Sequence, residues 1–309
     1  MRRACLLAAL SIILAVFTGC EIHFLDDVFP YDVNPFIEEV ELSGDGRAWS
    51  GEEDEITFLV FTDAHIGRHD SKVTDNSARI LEIAKDYDFV ISLGDLSDDG
   101  NIEYGPLVDF LSRLGDLDVP ALGILGNHEL QSDRMRDEWE ALYHAEGIFG
   151  TVGRFIYGPL SIYALDSSLR IFTLAQLEAL EQALALDDNP YKVFITHTDI
   201  TSGEALNQSL IFLLGTGDVA EQHRLYRLME QYGVGIMLDG HRHSGGGLIH
   251  VGRSFWEFNH DALHTRGDGM FESRGVYYVY TLDVESGALT IDSHLARDGG
   301  LLSTQTVTI

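Results

Sequence analysis

Ile56-Thr57-Phe58-Leu59-Val60-Phe61 runs straight into Thr62-Asp63-Ala64-His65. Six mostly apolar residues closed by a polar segment read as a strand buried on both faces. An aspartate and a histidine stand at its exit. The same pattern recurs four times downstream. The run 89–93 leads into Gly94-Asp95, and the run 121–125 into Gly126-Asn127-His128-Glu129. Residues 193–196 end at His197, and residues 235–238 lead to Gly240-His241-Arg242-His243. Helical periodicity at 76–85, 107–114, 174–186 and 219–231 separates many of these runs. Such alternation predicts α/β units with parallel strands. Further strands are expected at 155–157, 161–165, 248–251, 276–282 and 288–291, and together they make one α/β domain over residues 55–309.

Parallel sheets place binding residues at the carboxyl ends of their strands, where all five polar groups fall. Within Asp63-Ala64-His65 and His241-Arg242-His243, residues two apart on extended chain point the same way and converge on one point. Gly94, Gly126 and Gly240 let the backbone turn and come close to a neighbouring group. The candidate ligands are Asp63, His65, Asp95, Asn127, His197, His241 and His243. This oxygen and imidazole set, lacking thiolate, suits manganese, iron or zinc. It is too large for one tetrahedral zinc, but fills two sites if Asp95 bridges them.

In this order the groups resemble the metallophosphoesterase superfamily, which includes the calcineurin-like phosphatases, over residues 56–243. The resemblance implies a sandwich of two mixed β-sheets flanked by helices. It also implies that Asp63, His65, His243 and Asp95 hold one divalent ion, and that Asn127, His197, His241 and Asp95 hold the other. His128 is implied to lie beside the leaving group as acid or stabiliser, and Asp95 to be catalytic through its shared position. The chemistry implied is hydrolysis of a phosphomonoester or phosphodiester, with water acidified between two cations attacking phosphorus. In that family aspartate usually follows the Asn-His pair, whereas Glu129 stands here. The alternative is a non-catalytic metal-binding surface protein that keeps the same fold.

Charge narrows the partners. Of 309 residues only 20 are basic, and the formal net charge is -30, which argues against nucleic acid and against an electrostatic membrane contact. A small phosphorylated substrate remains compatible, because bound metal reverses the field locally. Residues 1–19 read as an export signal: Arg2 and Arg3, then an apolar run over 6–17 that is short for a membrane span. Ala15-Val16-Phe17-Thr18-Gly19-Cys20 resembles a bacterial lipobox, which implies a lipid on Cys20 and an exported, membrane-anchored protein. Residues 20–54 are acidic, interrupted by proline and glycine, and read as a tether with a short strand within 36–42. Substrate choice is expected to rest on the stretches 131–153, 198–216 and 253–273. Arg68 and Arg242 flank ligands and read equally well as phosphate contacts or as structural pairs. The other histidines outside the groups read as core or surface residues; His260 and His264, which follow the last metal group, read alternatively as lining the substrate side.

Overall fold

In a computed structural model the described residues are 38–42, 49–67, 73–97, 104–130, 136–145, 147–149, 152–168, 172–200, 219–243, 247–251, 254–267 and 273–309. The signal, Cys20 and most of the tether lie outside them, as do Arg68 and residues 201–218. Two seven-stranded mixed sheets stack face to face.

The first sheet runs β1 (Glu38–Glu41), β7 (Gly153–Tyr157), β8 (Leu160–Ala164), β9 (Tyr191–Ile195), β10 (Ile236–Asp239), β12 (Phe255–Asn259) and β11 (Gly247–Val251). The second runs β17 (Leu301–Thr308), β16 (Ala288–Leu295), β15 (Val276–Asp283), β2 (Glu55–Phe61), β4 (Phe89–Ser92), β5 (Ala121–Gly123) and β6 (Ile148–Phe149). A small sheet joins β3 (Val73–Thr74), β13 (Thr265–Arg266) and β14 (Ser273–Arg274). β2, β4 and β5 are parallel neighbours, and so are β9, β10 and β12.

The strand period of two divides each run between two cores. Phe58 and Val60 face the space between the sheets, where they meet Phe89, Ile91, Val193, Ile195, Ile236 and Leu238. Leu59 and Phe61 face outward, onto helices α1 (Ser77–Ile83), α2 (Tyr104–Gly115) and α4 (Arg136–Ala145). A short α3 (Asn127–Leu130) precedes α4. On the other flank Phe194 and Met237 pack with Leu177, Leu180 and Leu184 of α5 (Leu174–Ala185) and Leu225, Leu228 and Met229 of α6 (Val219–Tyr232). Burial on both faces explains the unbroken apolar runs, and the layers are helix, sheet, sheet, helix. Phe58 stacks at 4.9 Å on both Phe89 and Tyr280, which fixes β4, β2 and β15 side by side.

The short strand expected within 36–42 is present as β1, but it pairs with β7 and Leu42 enters the inter-sheet core, so part of the stretch read as tether belongs to the sandwich. Within 131–153, read as a substrate loop, lies α4, held by buried Trp139 and Tyr143. Within 253–273, also read as a loop, lies β12. β17 is an edge strand of mostly exposed Ser, Thr and Gln, with little of the apolar pattern that marks a strand. Among the described residues no helix is long and apolar enough to cross a membrane.

Candidate metal centre

Each parallel strand delivers its polar group to the same end of the sandwich. Past β2, Asp63 and Ile66 donate backbone N–H groups to Gly94 and Leu96, and His65 donates to Asp95. The exits of β2 and β4 therefore stay side by side beyond the strands. The other sheet joins them there: Leu263 donates its N–H to the Thr62 carbonyl at 2.8 Å, and His241 donates its N–H to Asp63 Oδ2 at 2.9 Å.

The backbone at the centre is not extended. Asp63, His65, Asp95, His241 and His243 all have positive φ, between 46° and 67°. That region costs a non-glycine residue on the order of 1 kcal/mol each, and Asp and His tolerate it better than most. The two-apart spacing therefore does not work as the sequence suggested. Left-handed turns, not strand alternation, aim these side chains. Furthermore His241 and His243 do not meet at one point; they are shared between two groups.

Those groups are Asp63, His65, Asp95 and His243, and Asp95, His197 and His241, the donor atoms within each lying within 4.8 Å of one another. Asp95 belongs to both. Asn127 joins the second through Oδ1, 3.3 Å from His197 Nε2. All seven sequence-predicted ligands thus reach one buried centre, none more than 9% exposed.

Each carboxylate has one oxygen tied and one aimed inward. Asp63 Oδ2 accepts from the Thr62 hydroxyl and the His241 N–H, leaving Oδ1 at 2.9 Å from His243 Nε2. Asp95 Oδ1 accepts the His128 N–H, leaving Oδ2 at 3.2 Å from His197 Nε2. Neither inward oxygen makes a hydrogen bond of good geometry, as suits a metal ligand. His197 is aimed by its other nitrogen: Nδ1 lies 2.8 Å from the Leu93 carbonyl, which can only accept, so Nδ1 carries the proton and Nε2 faces the centre. Divalent cations fit this donor set, with Asp63, His65, Asp95 and His243 able to hold one and Asp95, Asn127, His197 and His241 another.

Without cations the electrostatics are those of a strained cluster. Burial opposes charge on Asp63, but His243, His197 and His65 outweigh it and hold its carboxyl well below the usual carboxylate range. Asp95 is likewise lowered against its burial, chiefly by His197. His197 in turn is pulled down by burial but lifted more by Asp95, ending at about 10.

Close approach explains the glycines. A Cβ on Gly126 would sit 2.0 Å from Asp95 Oδ1, and one on Gly94, where φ is 95°, would sit 2.9 Å from His197 Nδ1. Glu129 fills the role usually taken by the shorter acid, accepting backbone N–H groups of Asp95, Ser97 and Gly126 at 3.1, 2.8 and 2.7 Å. It ties the β4 exit to the β5 exit. Burial first, then Asp95, push its carboxyl upward. His128 lies at the rim, its Nε2 3.8 Å from Asp95 Oδ2 and its ring 4.6 Å from that of His65.

Several supporting residues lie outside the predicted ligand set. Ser167 Oγ accepts the backbone N–H groups of His197 and Thr198, holding the β9 exit. Arg242 is committed to buried Asp199, which resolves its two readings in favour of structural pairing. Asp239, Glu257 and Asp199 are buried near one another, and burial, then Glu257 and Asp199, push the Asp239 carboxyl well up. Of the two readings of His264 the geometry favours the one beside the site: it stands against the centre, 4.9 Å ring to ring from both His65 and His243.

Residues 56–245 match the profile of the calcineurin-like phosphoesterases, more than half of the chain. The chain belongs to that family. The family is one of metal-dependent phosphoesterases. Among curated proteins the chain is 29% identical over 161 residues to a DNA double-strand break repair protein Mre11 from Methanosarcina mazei, a match covering 46% of this chain and 25% of that protein. The Mre11 protein of Methanosarcina acetivorans is 28% identical over 158 residues. The matched segment is thus about a quarter of the length of these relatives. Two solved structures share the fold. A yellow lupin purple acid phosphatase superposes with a TM-score of 0.59 at 15% identity, covering 84% of this phosphoesterase chain and 55% of its own. The Plasmodium protein GAP50, described as the anchor in the inner membrane complex, gives 0.56 at 13% identity, covering 83% and 90%.

Proposed function

We propose that this chain is a two-metal phosphohydrolase acting outside the cytoplasm on a small phosphomonoester or phosphodiester. One observation carries the reading: the Asp95 carboxylate lies in both donor groups, so two cations held there share a ligand. Two such ions, of manganese, iron or zinc, supply a water acidified at neutral pH and positive charge to offset that on the reacting phosphate. The protein residues do the rest. Glu129 and Gly126 keep Asp95 between the two sets of ligands. His128, 21% exposed in its side chain and on the open side of Asp95, is placed to give a proton to the departing oxygen. No side-chain nucleophile is needed.

The export signal over 1–19, the lipid on Cys20 and the acidic tether belong to the same proposal. They place the catalytic domain, which takes in β1 from residue 38, at a membrane face through a lipid and not through charge. The scaffold alternative is disfavoured because every ligand position is filled.

The test is hydrolysis of an artificial phosphomonoester and a phosphodiester by protein purified with manganese. Turnover of at least one, lost in Asp95→Asn, is expected. Binding of two ions without hydrolysis of either points instead to a scaffold or a metal store. The anchor is checked separately by the mass of protein extracted from membranes, where an unmodified Cys20 contradicts it.

A further inference from the structure

Three buried histidines of this chain are anchored in the same way, and their far nitrogens set them apart. His197 gives Nδ1–H to the Leu93 carbonyl, His260 gives Nδ1–H to the Asp239 carbonyl at 2.7 Å, and His264 gives Nδ1–H to the Asp63 carbonyl at 2.7 Å. A carbonyl oxygen has no proton to offer, so in each ring the proton sits on Nδ1 and Nε2 carries the lone pair. For His260 that lone pair is satisfied, since the Tyr280 hydroxyl lies 2.8 Å away. His260 is a packed core histidine. For His197 the lone pair faces Asp95 and Asn127 in the metal centre.

His264 follows the pattern of His197. Its side chain is wholly buried, and Nε2 has no hydrogen-bond partner among the described residues. Leaving a buried imidazole lone pair without a partner is unfavourable, so a group other than the protein's own atoms is expected to occupy it. What it faces is informative: one ring nitrogen each of His65, His243 and His264 lie within 4.8 Å of one another. A ring anchored at Nδ1 by a backbone carbonyl, with Nε2 presented to other ligands, is the arrangement that protein metal sites use to fix an imidazole.

We propose that His264 is an additional metal ligand, its Nε2 binding the ion that His65 and His243 hold. The inference rests on the two-metal reading of the centre, but is separable from it. It adds to the ligands the sequence identified a residue from the exit of β12, a strand that reading did not contain. Three imidazoles on one ion bias it toward zinc, iron or cobalt and away from the harder manganese and magnesium. The anchoring bond also gives the Asp63 carbonyl a donor, so His264 has a second, structural role that the test must separate from ligation.

Substitution by asparagine does this. An Asn amide nitrogen takes the place of Nδ1 and keeps the bond to the Asp63 carbonyl, while nothing replaces Nε2. Full-length His264→Asn, His264→Ala and His243→Ala are compared with the parent protein by competition of zinc and manganese against a chromophoric chelator, and by the visible spectrum of the cobalt-loaded forms. The expected result is a tenfold to hundredfold weaker hold on one of two zinc ions in both His264 variants, a smaller loss for manganese, and a changed cobalt band. Parent-like zinc affinity and an unchanged cobalt spectrum in folded His264→Asn overturn the proposal, whether or not His264→Ala folds. If His243→Ala loses an ion at the same time, the two-metal centre stands without His264. If the parent binds no metal, both fall.

Discussion

The two sheets do not bring the same chemistry to their shared end. Among the candidate ligands, the exits of β2, β4 and β5 supply both inward carboxylates, the Asn127 amide and one imidazole, His65, with His128 at the rim, whereas the exits of β9, β10 and β12 supply imidazoles alone. Neither half is sufficient. Two buried carboxylates without cationic or imidazole neighbours would be strongly disfavoured, and the imidazole half lacks a ligand able to bridge two ions. The centre is therefore a seam, existing only when the sheets are docked, and metal binding is expected to stabilise that docking.

The sharpest way to break the comparison is to change the residue common to both groups. Asp95→Asn is expected to lower turnover about a thousandfold or more and to weaken both ions, since it removes several kcal/mol of charge stabilisation. His241→Ala, from the imidazole half, should leave one ion bound; metal analysis of the two variants side by side tells a shared ligand from a private one. The rim comes next. His128→Ala should cost about a hundredfold with an alkyl leaving group and only a few-fold with nitrophenolate, which departs without a proton. An equal loss on both substrates would remove His128 from the acid role.

The carboxylate half also depends on its support. Glu129→Ala leaves the N–H groups of Asp95, Ser97 and Gly126 without their acceptor, and is expected to cost about 3 kcal/mol in urea unfolding. Glu129→Gln, which keeps one acceptor oxygen, should cost less.

Much of this was legible because double-sided burial writes a strand as an unbroken apolar run, and the ligands follow directly. The pairing of Asp63 with His65 was read correctly through the wrong conformation, since positive φ leaves no mark in composition when the residue is not glycine. His264 was not read among the ligands for a different reason. Its strand, Phe255-Trp256-Glu257-Phe258-Asn259, carries a charge in mid-run, because buried Glu257 accepts the Ile200 N–H from a neighbouring loop. A tertiary hydrogen bond of this kind cannot be seen in the local pattern. Likewise α4 is a short helix anchored by buried Trp139 and Tyr143, and β17 is exposed at an edge.

An effect that is small near neutral pH and grows in acid concerns the imidazole half's own scaffold. Burial holds His260 at about 3, below its ordinary value of 6.5, so the unfolded chain takes up a proton first. Its contribution to stability is whole above about pH 6.5 and is lost as pH falls toward 3, at about 1.4 kcal/mol per pH unit within that window. His260→Gln should be less stable at pH 7.5 but show a shallower acid decline of the urea midpoint. An unchanged slope would place the acid sensitivity elsewhere.

The count of ions per folded chain bears most directly on the whole account. Protein stripped with chelator, reloaded with zinc or manganese and shown to be folded should carry two ions per chain, and Asp95→Asn treated identically should hold neither ion tightly. Folded parent protein that retains no stoichiometric metal under those conditions would contradict it.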